Sequence, residues 1–190
     1  MKNSLYLITG IWLICIIISL YYISSYMFKI SEIPHALPIF PQNQQITFDK
    51  TKANLILFIH PFCPCSYATV NELKRVLAKT NADIAINVVF IKPKGLSDIK
   101  KNELYQKISL IKGTNIIFDK NNVIAEEFKT NTSGSILLYN KNGNLIFQGG
   151  ITGGRAEEGD NLGKSKLIEA LKKESGQWQS PIFGCSLSIK

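Results

Sequence analysis

The chain has 190 residues and a formal net charge of +8, and 45% of its residues are hydrophobic. A chain of this length holds one domain with a sizeable core and a short appendage. Its lysines are scattered rather than gathered into a basic block or stripe, so we predict no nucleic-acid binding. The positive charge then belongs to a solvated surface.

The N-terminal segment from Leu5 to Phe28 contains no charged residue. About 20 apolar residues span a bilayer as a helix, whereas the apolar stretch of a signal peptide is about 7–15 residues long and ends in a small-x-small cleavage site. Ser24-Ser25 is a poor site of that kind. We therefore predict that residues 1–28 form an uncleaved transmembrane anchor rather than a cleaved signal.

A short charged N-terminus before a long apolar span usually leaves the rest of the chain outside the cytoplasm. We expect a single-pass protein of the inner (cytoplasmic) membrane, with its soluble domain facing the periplasm or the cell exterior. Disulfide chemistry is permitted there, because the cytosolic pools that keep thiols reduced are absent. Residues 29–51 are polar and contain three prolines, a composition typical of a stalk. Residues 52–190 are then the folded domain.

The folded domain alternates strand patterns with helix patterns. Continuous apolar or β-branched runs predict strands, and apolar residues three or four apart predict helices. Asn142-Gly143 lies between two apolar runs and predicts a hairpin. In chain order the predicted elements are strand 55–59, helix 66–80, strand 84–91, helix 97–111, strand 115–118, helix 123–128, the hairpin strands 135–139 and 145–148, a glycine-rich loop 149–163 and helix 164–173. This order predicts an α/β, thioredoxin-like fold, a central mixed sheet with flanking helices.

The segment Cys63-Pro64-Cys65 follows the first predicted strand and opens the first predicted helix. Proline suits the first helical position, because it needs no N–H partner there. Cys63 is then the N-cap residue and Pro64 the first helical residue. The unpaired N–H groups and partial positive charge of a helix N-terminus stabilise a thiolate, which is the reactive form of cysteine. The pattern predicts a redox or soft-metal site.

Four motifs in this order resemble the RedB-like thioredoxin-fold family, and the resemblance covers about residues 52 to 187. The motifs are Phe58-x-His60-Pro61-x-Cys63-Pro64-Cys65-Ser66, Phe147-x-Gly149-Gly150-Ile151-Thr152-x-x-Arg155, Gly159-Asp160-Asn161-x-Gly163 and Phe183-Gly184-Cys185. The resemblance implies the thioredoxin fold, an extracytoplasmic setting and a redox role for the cysteines.

The chain departs from ordinary thioredoxins at the predicted site. One residue rather than two separates the cysteines, and no proline stands near Gly134 or Ser135, where the cis-proline of thioredoxins is expected. Leu57 replaces the buried acid that precedes the first cysteine in thioredoxins. Within the RedB-like pattern, Ala156-Glu157 stands where a Gly-His is usual.

The partner of Cys63 stays open at this point. Side chains at i and i+2 of a helix diverge by about 200°, so a Cys63–Cys65 disulfide would be strained. Cys185 near the C-terminus is the alternative, either as a resolving thiol on a mobile tail or as a buried end-cap. His60 is a candidate to stabilise the thiolate or to accept its proton. Catalytic residues are therefore predicted to be His60, Cys63, Cys65 and Cys185.

Three further residues are predicted to contact a substrate. Phe62 and Pro64 flank Cys63, and Arg155 in the glycine-rich loop is suited to an anionic group, with a structural pair to Asp160 as the alternative.

The sequence is compatible with three functions of different kinds. The first is an enzyme without a cofactor, a membrane-anchored thiol–disulfide oxidoreductase whose substrates are protein thiols or disulfides and whose redox partner is a membrane or periplasmic protein. The second is a Cu(I) carrier or metallation factor with His60, Cys63 and Cys65 as ligands, and Cys185 as a further ligand. The third is a non-catalytic interaction module.

Overall fold

The computed structural model of the protein describes residues 2–42, 45–91 and 99–187. Its first element is helix α1, Lys2–Met27. At 1.5 Å per residue this helix is about 39 Å long, more than the roughly 30 Å of a bilayer's hydrocarbon core. Its apolar side chains are exposed and take no part in the domain core. By length and composition, Asn3–Met27 can cross a membrane.

Six strands form one mixed sheet in the order β3-β2-β1-β4-β5-β6. Strands β1, β2 and β3 are parallel, β4 is antiparallel to β1, β5 is antiparallel to β4, and β6 is parallel to β5. The strands are β1 Ala53–Ile59, β2 Ile84–Ile91, β3 Thr114–Asp119, β4 Ser135–Tyr139, β5 Leu145–Gly149 and β6 Trp178–Gln179. The first five match the predicted runs to within two residues, and β6 was not predicted.

Four helices surround the sheet: α2 Pro64–Thr80, α3 Glu103–Ser109, α4 Val123–Glu127 and α5 Leu162–Lys173. The predicted helix 97–111 is shorter than expected. Within the described residues it is a 3₁₀ turn, Ile99–Lys101, followed by α3, which Asn102 caps by accepting from Leu104 and Tyr105 N–H. Residues 97 and 98 lie outside the described residues.

Alternate side chains of β1 face opposite sides of the sheet, as the period of two requires. Leu55 and Leu57 enter the core shared with α2, α3 and α5. Ile56 and Phe58 enter a second core that contains α4. The chain therefore has the predicted α/β, thioredoxin-like fold, in which the β1-α2-β2 unit and the β4-β5 hairpin share one sheet.

The segment predicted to be a stalk contacts the domain at several points. Ser31 pairs with Ile182, and Ile39 pairs with Asn144, each through an isolated antiparallel bridge. The ring of Phe40 lies 5.2 Å from that of Tyr139, in the second core. The segment thus covers part of the sheet face that α4 leaves open.

Strand direction brings three loops to one edge of the sheet. Phe58 near the end of β1 pairs with Ser135 at the start of β4, so the segments 60–63 and 131–134 are neighbours. Strand β5 runs parallel to β1 and ends at Gly149, at the same edge. The loop from 150 to 161 therefore begins beside the other two segments.

Candidate functional site

The first turn of α2 has the geometry that the sequence predicts. Cys63 is the N-cap residue, with extended backbone angles (φ −92°, ψ 119°), and Pro64 is the first helical residue. The Cys63 N–H donates to His60 O at 3.2 Å, and Ser66 N–H donates to Cys63 O at 2.9 Å. No side-chain capping bond of ordinary geometry forms at Cys63.

A buried pair of hydroxyls fixes the backbone just before Cys63. The Oγ atoms of Ser66 and Ser133 are 2.6 Å apart, and the His60 N–H donates to both at 3.1 Å. Ser66 Oγ also donates to His60 O at 2.9 Å. These bonds join the end of β1, the start of α2 and the segment before β4.

The C-terminal tail, residues 182–187, runs antiparallel to the segment 131–133. Ser133 N–H donates to Cys185 O at 2.8 Å, and Leu187 N–H donates to Asn131 O at 2.7 Å. A Cβ on Gly184 would lie 1.9 Å from Ser133 O, so only glycine permits this approach. Both ends of the tail are buried, since Ile182 and Leu187 are each 1% exposed. Of the two alternatives for the tail, the buried ends and the bonded backbone favour a packed segment over a mobile one.

This tail brings the third thiol to the other two. The Sγ atoms of Cys63, Cys65 and Cys185 all lie within 4.8 Å of one another, and the three cysteines are free thiols. Cys63 and Cys65 are each 3% exposed, whereas Cys185 is partly exposed. The site is a compact cluster of three sulfurs at the N-terminus of α2.

The cluster favours one negative charge, on Cys63. The thiol of Cys65 donates to Cys63 Sγ, and together with donors from Cys185 and the Ser66 N–H it lowers the pKa of Cys63 from 9.0 to about 4, against the opposing effect of burial. The Cys63 thiolate and burial raise the pKa of Cys65. Burial and the same thiolate raise the pKa of Cys185. The single thiolate is therefore on Cys63, and the other two thiols act as hydrogen-bond donors to it.

Two residues of the glycine-rich loop contact the cluster and the tail. The Ala156 N–H lies against Cys65, where it opposes the rise in the pKa of that thiol. The Arg155 guanidinium donates through Nη1 to Gly184 O at 2.5 Å and lies 4.0 Å from Cys185 Sγ, and its Nη2 is 3.4 Å from Ser31 Oγ. Arg155 makes none of its described bonds to Asp160, which pairs with Lys164 at 2.8 Å. The structural pair considered for Arg155 is thus replaced by a contact to the tail.

The remaining predicted residues surround the cluster without joining it. His60 is half-buried, its Nδ1 accepts from Phe62 N–H at 3.3 Å, and burial lowers its pKa while Cys63 raises it. Among the described residues, the group of close metal-ligating atoms contains Cys185 and not His60. Phe62 and Pro64 are exposed beside the buried Cys63, and their contact with substrate stays a prediction.

Sequence reasoning missed four contributors to this site: Ser31, Ser66, Ser133 and Ala156. Ser66 belongs to the quoted cysteine motif, and a hydroxyl in the first turn of a helix is a signal that could have drawn attention to it. Ser31 and Ser133 act from far along the chain, and Ala156 acts only through its backbone N–H. No local pattern marks these three.

No family model matches the sequence, and no curated protein matches it. Solved structures do match. A hypothetical protein from Sinorhizobium meliloti has a TM-score of 0.61 at 15% identity, over 84% of this chain and 99% of that chain. An uncharacterized conserved protein from Geobacillus kaustophilus has a TM-score of 0.60 at 16% identity, over 86% and 94%. A secreted disulfide oxidoreductase from Mycobacterium tuberculosis has a TM-score of 0.45 at 14% identity, over 66% and 83%.

At these identities the likeness shows the fold alone. The thioredoxin-like fold rests on the chain's own topology. Membership of the RedB-like family stays a prediction.

Proposed function

We propose that the protein is a membrane-anchored, extracytoplasmic thiol–disulfide oxidoreductase. The observation that carries the proposal is the cluster of three sulfurs at the N-terminus of α2, where neighbouring donors lower the pKa of Cys63. Reduction of a substrate disulfide needs a thiolate that attacks it and a second thiol that completes the exchange. The cluster supplies the thiolate and two further thiols within 4.8 Å, and the substrate supplies the disulfide.

Three sulfurs give three possible disulfides, and we expect the one that forms to include Cys63, whose thiolate is the reactive sulfur. Cys65 is the second helical residue, so its side chain diverges from that of Cys63 around the helix axis. Cys185 comes from a separate strand-like segment that crosses the helix N-terminus, and its backbone is held by Ser133. The Cys63–Cys185 pair therefore meets the geometry of a disulfide with less distortion.

The reaction exchanges two electrons with a protein substrate. Oxidation of Cys63 and its partner to a disulfide reduces one substrate disulfide to two thiols, and the reverse reaction oxidises two substrate thiols. Phe62 and Pro64 on the exposed rim would contact the substrate. A second redox protein, in the membrane or the periplasm, would regenerate the starting state.

Thiol counting on the full chain in detergent tests this function. The protein is equilibrated in glutathione buffers of graded potential, trapped, and mapped by mass spectrometry, with Cys15→Ser as a background that removes the thiol in α1. A reversible couple that includes Cys63 is expected. If the three thiols stay reduced at every accessible potential, the oxidoreductase is excluded.

The proposed orientation needs its own measurement. Helix α1 is expected to hold the protein in the membrane fraction after carbonate extraction, with its domain outside the cytoplasm. A membrane-impermeant protease added to spheroplasts should digest the domain. A domain that stays protected until the cells are lysed would contradict the extracytoplasmic location.

A Cu(I)-binding function is a second candidate, because the cluster is an all-thiol set. Cysteine thiolates select soft ions such as Cu(I). The ligands would be Cys63, Cys65 and Cys185, and His60 would lie outside the set. Competition with a Cu(I) chelator tests this directly. Cys185→Ser should weaken binding, whereas Cys15→Ser should leave it unchanged, and equal affinity of the two variants would exclude the three-sulfur site.

A further inference from the structure

The three sulfurs differ in their access to solvent. Cys63 carries the negative charge but is 3% exposed, and Cys65 is equally buried. Cys185 is the partly exposed member of the cluster. A reactant that approaches from solvent therefore meets Cys185 first.

Burial and hydrogen bonds hold the tail in place beside Cys63. Its two ends are buried, and Gly184 between them is held from both sides. Ser31 Oγ and Arg155 Nη1 donate to Gly184 O at 2.9 and 2.5 Å. On the opposite side Ser133 N–H donates to Cys185 O. Releasing the tail would break these bonds and expose Ile182 and Leu187.

We propose that Cys185, rather than Cys63, is the catalytic residue that exchanges with the substrate. The proposal rests on the proposed oxidoreductase function and applies to the oxidised protein, in which Cys63 and Cys185 form the disulfide. A substrate thiolate attacks Cys185 Sγ, the accessible sulfur, and Cys63 leaves as a thiolate. The resulting mixed disulfide joins the substrate to Cys185.

The second step completes the exchange. A second substrate thiolate attacks the substrate sulfur of the mixed disulfide, and Cys185 leaves and takes up a proton. The substrate gains a disulfide, and the protein gains the Cys63 thiolate and the Cys185 thiol. Of the two protons lost by the substrate thiols, one is on Cys185 and the other is in solvent.

Charge placement supports this direction of attack. Disulfide exchange is faster when the departing thiol has a low pKa. The helix N-terminus and the Cys65 thiol stabilise the negative charge on Cys63 as it departs. The Arg155 guanidinium lies 4.0 Å from Cys185 Sγ, where it stabilises negative charge on the attacking and departing sulfurs.

The decisive experiment maps the first mixed disulfide. The oxidised full chain in detergent, carrying Cys15→Ser, is mixed with reduced glutathione, quenched with acid at several early times, and digested for mass spectrometry. Extrapolating the yield on each cysteine to zero time corrects for glutathione that moves between cysteines after the first step. Glutathione on Cys185 is expected to exceed glutathione on Cys63 at least about tenfold, because attack at the accessible sulfur expels the better leaving group.

A second variant prevents redistribution by Cys65. In Cys65→Ser the disulfide is confined to Cys63 and Cys185, and the same preference for Cys185 is expected. Glutathione found first on Cys63, or a disulfide mapped to Cys63 and Cys65 in the Cys15→Ser protein, would overturn the assignment of Cys185 and leave the oxidoreductase intact. Failure to form any disulfide would instead exclude the oxidoreductase itself.

Discussion

The charge on Cys63 depends on donors from three parts of the chain. The Cys65 thiol and the Ser66 N–H belong to the first turn of α2, and the donors from Cys185 belong to the tail. A helix N-terminus alone contributes a partial charge. The two neighbouring thiols add direct bonds to the thiolate, and the Cys65 bond is the largest single contribution.

Removal of the Cys65 thiol should therefore raise the pKa of Cys63. In Cys65→Ala we expect the thiolate-to-thiol ratio of Cys63 at mildly acidic pH to fall at least about tenfold, which corresponds to roughly 1.4 kcal/mol. Thiolate ultraviolet absorbance during an acid titration measures the ratio. Cys15→Ala is the matched control and should titrate like the wild type. An unchanged titration of Cys63 in Cys65→Ala would contradict the inference that the Cys65 thiol donates a hydrogen bond to the Cys63 thiolate.

At the scale of elements, the tail acts as part of the site only because it lies close to the segment 131–133. The approach is set by Gly184, whose missing Cβ leaves room for Ser133 O. A side chain there would push Cys185 away from Cys63. The position of the third sulfur is thus decided by one glycine.

Gly184→Ala should displace the tail and remove Cys185 from the cluster. We expect the pKa of Cys63 to rise and the Cys63–Cys185 disulfide to form at least about tenfold less readily in a fixed glutathione buffer, since each tenfold change is about 1.4 kcal/mol. Gly153→Ala is the control, because its Cβ would lie 3.4 Å from the nearest atom, at the end of the flexible Glu157 side chain. Equal disulfide yields in the two variants would show that the close approach of Gly184 to Ser133 O is not required to bring Cys185 to Cys63.

A buried ion pair joins α2 to α5 and to the glycine-rich loop. Glu72 is fully buried and bonds to Lys164 Nζ at 2.8 Å, to the Gly159 N–H at 2.9 Å and to Arg75. Burial raises the pKa of Glu72, but Lys164 and the Gly159 N–H outweigh it and the net shift is downward. The pair holds the loop that carries Arg155 and Ala156 over the cysteines.

Lys164→Met should leave Glu72 buried without its main partner. Breaking a buried pair on one side typically costs about 3–5 kcal/mol, and Arg75 remains in contact with Glu72, so we expect a loss of about 2–4 kcal/mol in the free energy of unfolding. Lys173→Met is the control, because its pair with Glu169 at 3.0 Å is exposed and worth less than about 1 kcal/mol. Denaturant unfolding measures both. Similar losses of unfolding free energy in the two variants would contradict the inference that Lys164 stabilises the buried Glu72.

At the scale of the whole molecule, the cluster makes the stability of the reduced protein depend on pH. Between about 4 and the ordinary value of 9.0, the unfolded chain carries a proton on Cys63 and the folded protein does not. The unfolded state binds more protons in this window, so stability rises with pH. The contribution is fully present only above the unfolded pKa and is lost as the pH falls through the folded pKa.

The free energy of unfolding of the reduced wild type, minus that of Cys63→Ser, should therefore increase from pH 5 to pH 8. One proton corresponds to a slope of about 1.4 kcal/mol per pH unit. Denaturant unfolding under a thiol reductant gives both values at each pH. The serine variant controls for the titrating groups that do not contact Cys63. A difference that is flat or falls with pH would contradict a thiolate at Cys63.

Local features were predictable because their causes lie within a few residues. The apolar run of β1, the proline that opens α2 and the asparagine that caps α5 are each set by neighbouring chemistry. The uncharged run that forms α1 is of the same kind. The order of these elements was sufficient to predict the thioredoxin-like fold.

Contacts across the chain were not predictable in this way. The hydroxyl pair of Ser66 and Ser133 spans 67 positions, and β6 consists of two residues without a pattern of their own. The same holds for Arg155. The sequence left two roles open for it, contact with a substrate or a pair with Asp160, and the structure places it against the tail. Such contacts depend on which loops the strand directions bring to one edge.

The sequence by itself determined the kind of chemistry: two thiols at a helix N-terminus, where unpaired N–H groups favour a thiolate, on a chain with a helix able to cross a membrane. Only the tertiary structure decided the composition of the site. It fixed the tail at both ends, brought Cys185 to Cys63 and Cys65, and left His60 outside the cluster. The physical reason is that a thiolate's acidity and a sulfur's accessibility depend on neighbours in space, and here those neighbours come from distant parts of the chain.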